Sequence, residues 1–219
     1  MRQAAADPSP FGVQLDRSVT ASFLQFLQVI EQTGPDKLQE EADALAAKGD
    51  DSHFDVLAAF WRQDAAALPS PTDEFLARAF LQPFAVAIRE RTNLRYKGPI
   101  AYICPFCMRK PCVGALRPLG DGGQRSLICS FCLAEWEFRR IVCPGCGAED
   151  PAKLPVYSAE ELPHMRVEAC DSCKSYIKTA DLTRSALGHP VVDEIAAVAL
   201  DLWAQMKGYT KLQANLLQL

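Results

Sequence analysis

The sequence predicts an α+β protein in which a helical N-terminal part is followed by two tandem metal-binding modules and a C-terminal helix. The first 96 residues show helical periodicity and hardly any strand signal. All nine cysteines lie between Cys104 and Cys173, and short strand-like runs border them. The length of 219 residues and a hydrophobic content of 49% suit one large or two small domains and exclude a disordered or fibrous chain.

These signals divide the chain into four segments. Residues 1–96 are the helical domain, 97–138 the first cysteine module, 139–182 the second, and 183–219 the C-terminal helix and tail.

Four helices are predicted in the N-terminal segment. In the first, Val19, Phe23, Phe26, Leu27 and Ile30 recur at spacings of three and four, and Thr33-Gly34-Pro35 ends it. The second and third span residues 36–48 and 51–68. In the fourth, Thr72 is the expected N-cap, Pro83 can bend the helix, and the apolar face consists of Phe75, Ala79, Phe80, Phe84 and Ile88. We interpret these stripes as core, and no catalytic constellation occurs among them.

Strand-like runs cover residues 99–103, 125–128, 135–138 and 166–169, each next to a cysteine pair. Asp121-Gly122-Gly123 predicts a hairpin turn between two of them. Helical periodicity returns from Pro190 to Met206, and Gly208 is the expected stop.

Eight of the cysteines form four Cys-x-x-Cys pairs. They are Cys104 with Cys107, Cys129 with Cys132, Cys143 with Cys146, and Cys170 with Cys173. Each pair places two thiols on one side of a tight turn, and two such turns complete a tetrahedral site of four sulfurs. The intervals of 21 and 23 residues make this an internal repeat and favour sequential over crosswise pairing.

The eight paired cysteines are therefore the expected metal ligands. Four thiolates bind iron or zinc, and the spacing alone does not separate the two metals. Pro105, Pro144 and Gly147 are similar to residues in the metal-binding turns of rubredoxin, whereas Met108, Leu133 and Lys174 stand where glycine would ease a positive φ. The modules are thus rubredoxin-like or zinc-ribbon-like.

Other sites are disfavoured. A thioredoxin-like redox motif needs a βαβ context that is absent, and residues 97–180 carry 11 basic against 9 acidic side chains, too balanced for a nucleic-acid surface. Cys112 is expected to be a buried filler, and His164 and His189 are expected not to be ligands. No enzyme is expected.

The sequence shows no signal peptide and no apolar run long enough for a membrane span, so we expect a cytoplasmic protein without membrane insertion. A reducing compartment disfavours disulfides and favours metal binding by the cysteines.

The order of these motifs resembles the formate dehydrogenase accessory protein family, FdhE, over about residues 95–219. The resemblance is carried by the four cysteine pairs and by short motifs between and after them: Glu135-Trp136, Arg139-Arg140, Glu168-Ala169, Tyr176-x-Lys178, Leu200-Asp201-Leu202-Trp203, Gly208-Tyr209 and Asn215-Leu216.

This resemblance implies a non-catalytic maturation factor that binds the catalytic subunit of a molybdenum-containing formate dehydrogenase. It also implies iron in two rubredoxin-type sites of four cysteines each, with zinc as the alternative. Two other functions stay open: a zinc-ribbon module for nucleic acid or general protein interaction, and a rubredoxin-like electron-transfer protein. A homo-oligomer is also open. The N-terminal helical part is shorter than in the family, which weakens the expectation of a partner surface there.

Overall fold

The computed structural model of the chain describes residues 10–92, 96 and 98–215, which fall into two compact units, Met1–Asn93 and Leu94–Leu219. The first unit is helical, and the second contains a seven-stranded sheet with two helices. The predicted α+β class is confirmed. Within the described ranges, none of the helices combines the length and the apolar character that crossing a membrane requires.

The helical unit contains α1 (Val19–Thr33), α2 (Asp36–Ala46), α3 (Asp50–Trp61) and α4 (Pro71–Thr92). The prediction for the third helix is wrong at its C-terminal end, which lies at Trp61 rather than residue 68. Gln63 has a φ of 60°, a left-handed conformation that a right-handed helix cannot contain. A separate 3₁₀ turn, Ala65–Ala67, follows.

The predicted cap and buried face of α4 need correction. The helix begins at Pro71 rather than after Thr72, and Ser70 Oγ accepts a hydrogen bond from the backbone N–H of Asp73 at 3.0 Å. The helix continues through Pro83. Its buried apolar residues are Leu76, Ala77, Phe80, Leu81 and Ala85, so only Phe80 of the predicted face is fully buried.

Aromatic rings and two ring N–H groups organise the core of the helical unit. Phe23 of α1 is fully buried, and its ring lies 5.1 Å from that of Phe80. His53 of α3 is also buried, with Nε2 2.9 Å from the carbonyl oxygen of Leu45, the last buried residue of α2. Trp61 Nε1 donates to the carbonyl oxygen of Val13 at 2.8 Å. Phe23, Phe80 and His53 therefore belong to the core, and Trp61 connects α3 to the segment that precedes α1.

Among its described residues, the second unit contains seven strands. They are β1 (Pro111–Leu119), β2 (Gly122–Cys129), β3 (Glu135–Glu137), β4 (Val156–Ser158), β5 (Met165–Ala169), β6 (Ser175–Asp181) and β7 (Thr210–Lys211). The sheet order is β3-β2-β1-β6-β5-β4, and β7 pairs with β6. All pairs are antiparallel except β1 with β6 and β6 with β7.

The strand predictions for residues 125–128, 135–138 and 166–169 are confirmed by β2, β3 and β5. The prediction of a strand at residues 99–103 is wrong, because this segment joins no strand ladder. Its backbone carbonyl at Ala101 instead accepts a hydrogen bond from the side chain of Trp136, through Nε1, at 2.8 Å. The hairpin between β1 and β2 is confirmed, with its turn one residue earlier, at Gly120 and Asp121.

The sheet is built from two copies of one pattern. Each copy has a cysteine pair, two antiparallel strands, a second cysteine pair and a third strand, so β1, β2 and β3 correspond to β4, β5 and β6. The copies meet where β1 and β6 pair in parallel over residues 113–116 and 178–181. Gly114 permits this approach, because a Cβ there would overlap Oγ1 of Thr179. The two sequence modules therefore share one sheet.

The predicted C-terminal helix is interrupted. It consists of α5 (Pro190–Ala196) and α6 (Val198–Met206), separated at Ala197, whose ψ is 39°. The ammonium of Lys178, from β6, donates to the carbonyl oxygens of Glu194 and Ala197. A donor from outside the helix thus occupies carbonyls at the break, a recognised cause of helix kinks.

Candidate metal centres

Each Cys-x-x-Cys pair forms a tight turn, which we call a knuckle. The residue after the second cysteine has positive φ in all four: 63° at Met108, 55° at Leu133, 75° at Gly147 and 56° at Lys174. In three knuckles the N–H of this residue donates to the carbonyl oxygen of the first cysteine, at 2.8 to 3.0 Å. The repeated geometry at three non-glycine residues indicates that the turn is required by the site.

The first cluster joins the knuckle before β1 to the knuckle between β2 and β3. Its sulfurs belong to Cys104, Cys107, Cys129 and Cys132, all fully buried. The Sγ atoms of Cys104 and Cys132 are 3.6 Å apart, and those of Cys107 and Cys129 are 3.3 Å apart. The N–H of Phe131 donates to the sulfur of Cys129 at 3.3 Å.

The second cluster joins the knuckle before β4 to the knuckle between β5 and β6. The Sγ atoms of Cys143 and Cys173 are 3.7 Å apart, and those of Cys146 and Cys170 are also 3.7 Å apart. Cys143 and Cys170 are buried, but Cys146 and Cys173 are exposed. The second cluster is therefore open to solvent on one side, whereas the first is enclosed.

Both clusters fit a tetrahedral metal. A metal–sulfur bond of about 2.3 Å gives sulfur–sulfur edges of about 3.8 Å, close to the distances found here. Within each group of four, all sulfurs lie within 4.8 Å of one another, and none of the nine cysteines forms a disulfide. The cysteines are brought together in the sequential combination that the spacing favours. Either iron or zinc suits four sulfurs of this kind.

Thiols this close cannot all ionise unless a cation balances their charge. Hydrogen bonds from Cys104 and Cys129 hold the pKa of Cys107 far below its ordinary value, whereas burial raises the pKa of Cys129 far above it. In the second cluster burial raises the pKa of Cys143 to about 12. Burial also acts to raise the pKa of Cys173, but hydrogen bonds from the side chain and backbone of Ser175 outweigh it and lower the pKa to about 7. Metal binding must release the remaining protons.

Three residues left out of the predicted ligand set are also outside both clusters. Cys112 is buried in β1 against Val113, Ala115 and Ile128. His164 faces Asp193 at 3.6 Å, and His189 precedes α5 with its backbone N–H donating to Asp193.

Sequence reasoning missed two groups that support the site. Ser175 Oγ lies 3.0 Å from the sulfur of Cys173. Arg125 of β2, only 2% exposed, contacts Glu168 of β5 at 2.6 Å and thereby connects the two repeats across β1 and β6. The serine follows its knuckle by two residues, but nothing local marks the arginine, because its partner lies 43 positions away.

A buried charge network fixes the C-terminal helices to the sheet. Lys178 is fully buried and contacts Asp201 at 2.6 Å and Glu194 at 3.2 Å. Lys211 contacts the same two carboxylates, Asn215 donates to Glu194 at 2.9 Å, and the hydroxyl of Tyr176 donates to Asp201 at 2.8 Å. Two ammonium groups thus balance two carboxylates. This network explains the Tyr176-x-Lys178, Asp201 and Asn215 motifs as structural.

Two family models match the chain. One, described as the FdhE central domain, matches residues 103–140, and the other, the FdhE C-terminal domain, matches residues 141–218. Together they cover just over half of the chain and contain both clusters. The boundary between them falls between the two repeats.

Relatives and one solved structure agree. A protein named FdhE homolog from Aquifex aeolicus is 28% identical over 88% of this chain and 68% of its own length. Another from Haemophilus influenzae strain PittEE is 27% identical over 86% of this chain and 58% of its own length. A third from Pseudomonas putida is 34% identical over 57% of this chain and 41% of its own length.

The chain therefore spans only part of these relatives. The crystal structure of the FdhE protein from Pseudomonas aeruginosa matches with a TM-score of 0.71 at 22% identity, covering 94% of this chain and 75% of that one. With both domain models, the two cysteine clusters and this fold in agreement, the chain belongs to the FdhE family.

Proposed function

We propose that this protein is a non-catalytic cytoplasmic accessory factor that binds the catalytic subunit of a molybdenum-containing formate dehydrogenase and assists its maturation. The observation that carries the proposal is the pair of four-sulfur clusters on one sheet in a chain of the FdhE family. No nucleic acid is proposed as a partner, since the charge of the cysteine segments is nearly balanced.

The metal, which we propose to be iron, has a clear structural task. Each repeat contributes three strands, and four of the seven strands have five residues or fewer. A bound metal cross-links two knuckles and so supplies stability that such small hairpins lack. The platform thus formed presents its outer surfaces to the client subunit.

The test is co-purification of the tagged full chain with the formate dehydrogenase catalytic subunit under reducing, anaerobic conditions. We expect a complex with the native chain and its loss in Cys104→Ser/Cys107→Ser, which removes half of the enclosed cluster. Cys112→Ser is the matched control, because this buried cysteine lies outside both clusters. If the native chain captures no catalytic subunit, the proposal is wrong.

A second candidate is one-electron exchange with the client, as in a rubredoxin-like carrier. The exposure of Cys146 and Cys173 favours it, because electron transfer needs a short path from the centre to the surface. Elemental analysis and an absorption spectrum decide between the roles. Protein that contains only zinc, although produced anaerobically with iron supplied, would exclude the redox role.

A further inference from the structure

A cleft of about 400 Å³ opens beside the second cluster. Residues Cys143 and Cys170 form part of its wall, and the rest comes from the surrounding strands and loops. The volume falls within the range of small-molecule sites, about 300 to 1,000 Å³. The cleft is thus large enough for a compact organic ligand.

One part of this wall is apolar. Leu154, Val156 and Leu212 line it, and the side chain of Val156, on the edge strand β4, is 57% exposed. Covering exposed apolar surface with a ligand removes it from water, which favours binding. This part of the cleft favours a ligand with an apolar body.

Another part is cationic. Arg166 donates to Glu168 through Nε and Nη2, and its Nη1 forms a longer ion pair with Asp181 at 3.7 Å. Arg140 has no carboxylate within salt-bridge distance in the ranges 10–92 and 98–215. Arg125 completes the set but is engaged with Glu168 and two carbonyl oxygens. The charged residues that line the cleft are thus three arginines and one glutamate, so the wall keeps a net positive charge, and Arg140 has donors available to an anion.

We propose that this cleft binds a small organic anion with an apolar body, such as an aromatic phosphate or carboxylate, whose anionic end contacts Arg140 and Arg166. Planar guanidinium groups bind carboxylate and phosphate through paired charge-assisted hydrogen bonds. Binding here depends on the cleft and is independent of any client protein.

A competing explanation is that these arginines only balance the negative charge of a metal held by four thiolates. In that case Arg140 would affect metal retention, and the cleft would bind no anion. The experiment below separates the two explanations by measuring anion binding and metal content in the same variants.

The experiment is isothermal titration calorimetry of the metal-loaded full chain with phenyl phosphate as the probe and benzyl alcohol as its uncharged counterpart. We expect saturable binding of phenyl phosphate that weakens with added salt, because the contacting charges are partly exposed. Arg140→Gln should weaken it about tenfold. Arg139→Gln is the matched control, since Arg139 pairs with Glu149 at 2.7 Å and does not line the cleft, and it should change the affinity less than about twofold.

Three results would overturn the proposal. They are the absence of saturable binding at millimolar phenyl phosphate, equal binding of benzyl alcohol, and an Arg140→Gln variant that binds phenyl phosphate as tightly as the native chain does, whether or not it loses metal from the second cluster.

Discussion

Replacing Lys178 by methionine tests the buried charge network directly. The ammonium contacts two carboxylates and two helix carbonyls, and the side chain is fully buried. Methionine retains much of the side-chain volume but removes the charge. Among the described residues, Lys211 is then the one ammonium that contacts Glu194 and Asp201. Removing one partner from a buried ion pair costs about 3 to 5 kcal/mol.

The assay is hydrogen–deuterium exchange of β6 and α6 peptides in the metal-loaded chain, together with urea unfolding. An opening free energy lower by about 3 kcal/mol accelerates exchange about a hundredfold, so the effect is easy to resolve. Lys174→Met is the matched control: this lysine is exposed and pairs with Asp171 at 2.5 Å, so its removal should cost less than about 1 kcal/mol.

A second variant separates charge balance from lost packing. Lys178→Met combined with Asp201→Asn restores equal numbers of cations and anions around Lys211 and should recover about 1 to 2 kcal/mol. The reasoning is refuted if Lys178→Met costs less than about 1 kcal/mol, or if the double variant is no more stable than the single one.

Three further predictions concern the clusters, a surface carboxylate and the junction of the repeats. A chelator should remove one metal equivalent rapidly and the other slowly, because Cys146 and Cys173 are exposed while the first cluster is enclosed. A colorimetric metal indicator measures the two phases. If the fast phase persists in Cys146→Ser/Cys173→Ser, its assignment to the second cluster is wrong. Burial acts to raise the pKa of Glu135, but hydrogen bonds from Arg117 and Ser126 lower it below its usual range, so this carboxylate stabilises the fold fully above its unfolded pKa and less as the pH falls through its folded pKa. The difference in unfolding free energy between native and Glu135→Gln chains should therefore be about 0.5 to 1 kcal/mol at pH 7 and decrease as the pH falls through the folded pKa of Glu135, as followed by urea titrations. A difference that does not change with pH would disprove it. Gly114→Ala should destabilise the sheet by about 1 to 3 kcal/mol in thermal unfolding, and adding Thr179→Ala should recover much of this loss, since it removes the hydroxyl that the new Cβ would overlap; no recovery would mean that the strain lies elsewhere.

The cysteine spacing was sufficient to predict which knuckles come together. A knuckle is a local structure, and hairpins of about 20 residues bring sequential pairs together with little choice. The same local reasoning anticipated positive φ after each knuckle, which the structure shows even at Met108, Leu133 and Lys174.

Strands that depend on distant partners were harder to predict. β1 contains Pro111 and Pro118, which argue against a central strand, yet Pro111 stands at its start and Pro118 lies beyond the residues that pair with β6. β6 carries Lys178 and Asp181 at buried positions, so its pattern resembles a polar loop. The groups that satisfy Lys178 come from α5 and α6, which no local window includes.

The helical face of α4 was misassigned for a related reason. Five aromatic or aliphatic residues at helical spacing indicate a stripe, but α4 has enough apolar residues to define two overlapping stripes. Packing selects the stripe containing Leu76 and Leu81 and leaves Phe84 44% exposed. Periodicity alone does not separate two such choices.

The junction between the two repeats also sets a requirement on the outer edges of the sheet. Because β1 pairs with β6, the corresponding strands β4 and β3 remain as edges that would fit each other in two separate molecules. Head-to-tail contacts of this kind do not close and can extend into fibres. Each edge strand has only three residues, and β3 exposes Glu135 and Glu137, two features that discourage pairing between chains. Lengthening β3 and removing its charges would turn a discrete molecule into a unit of an open-ended polymer.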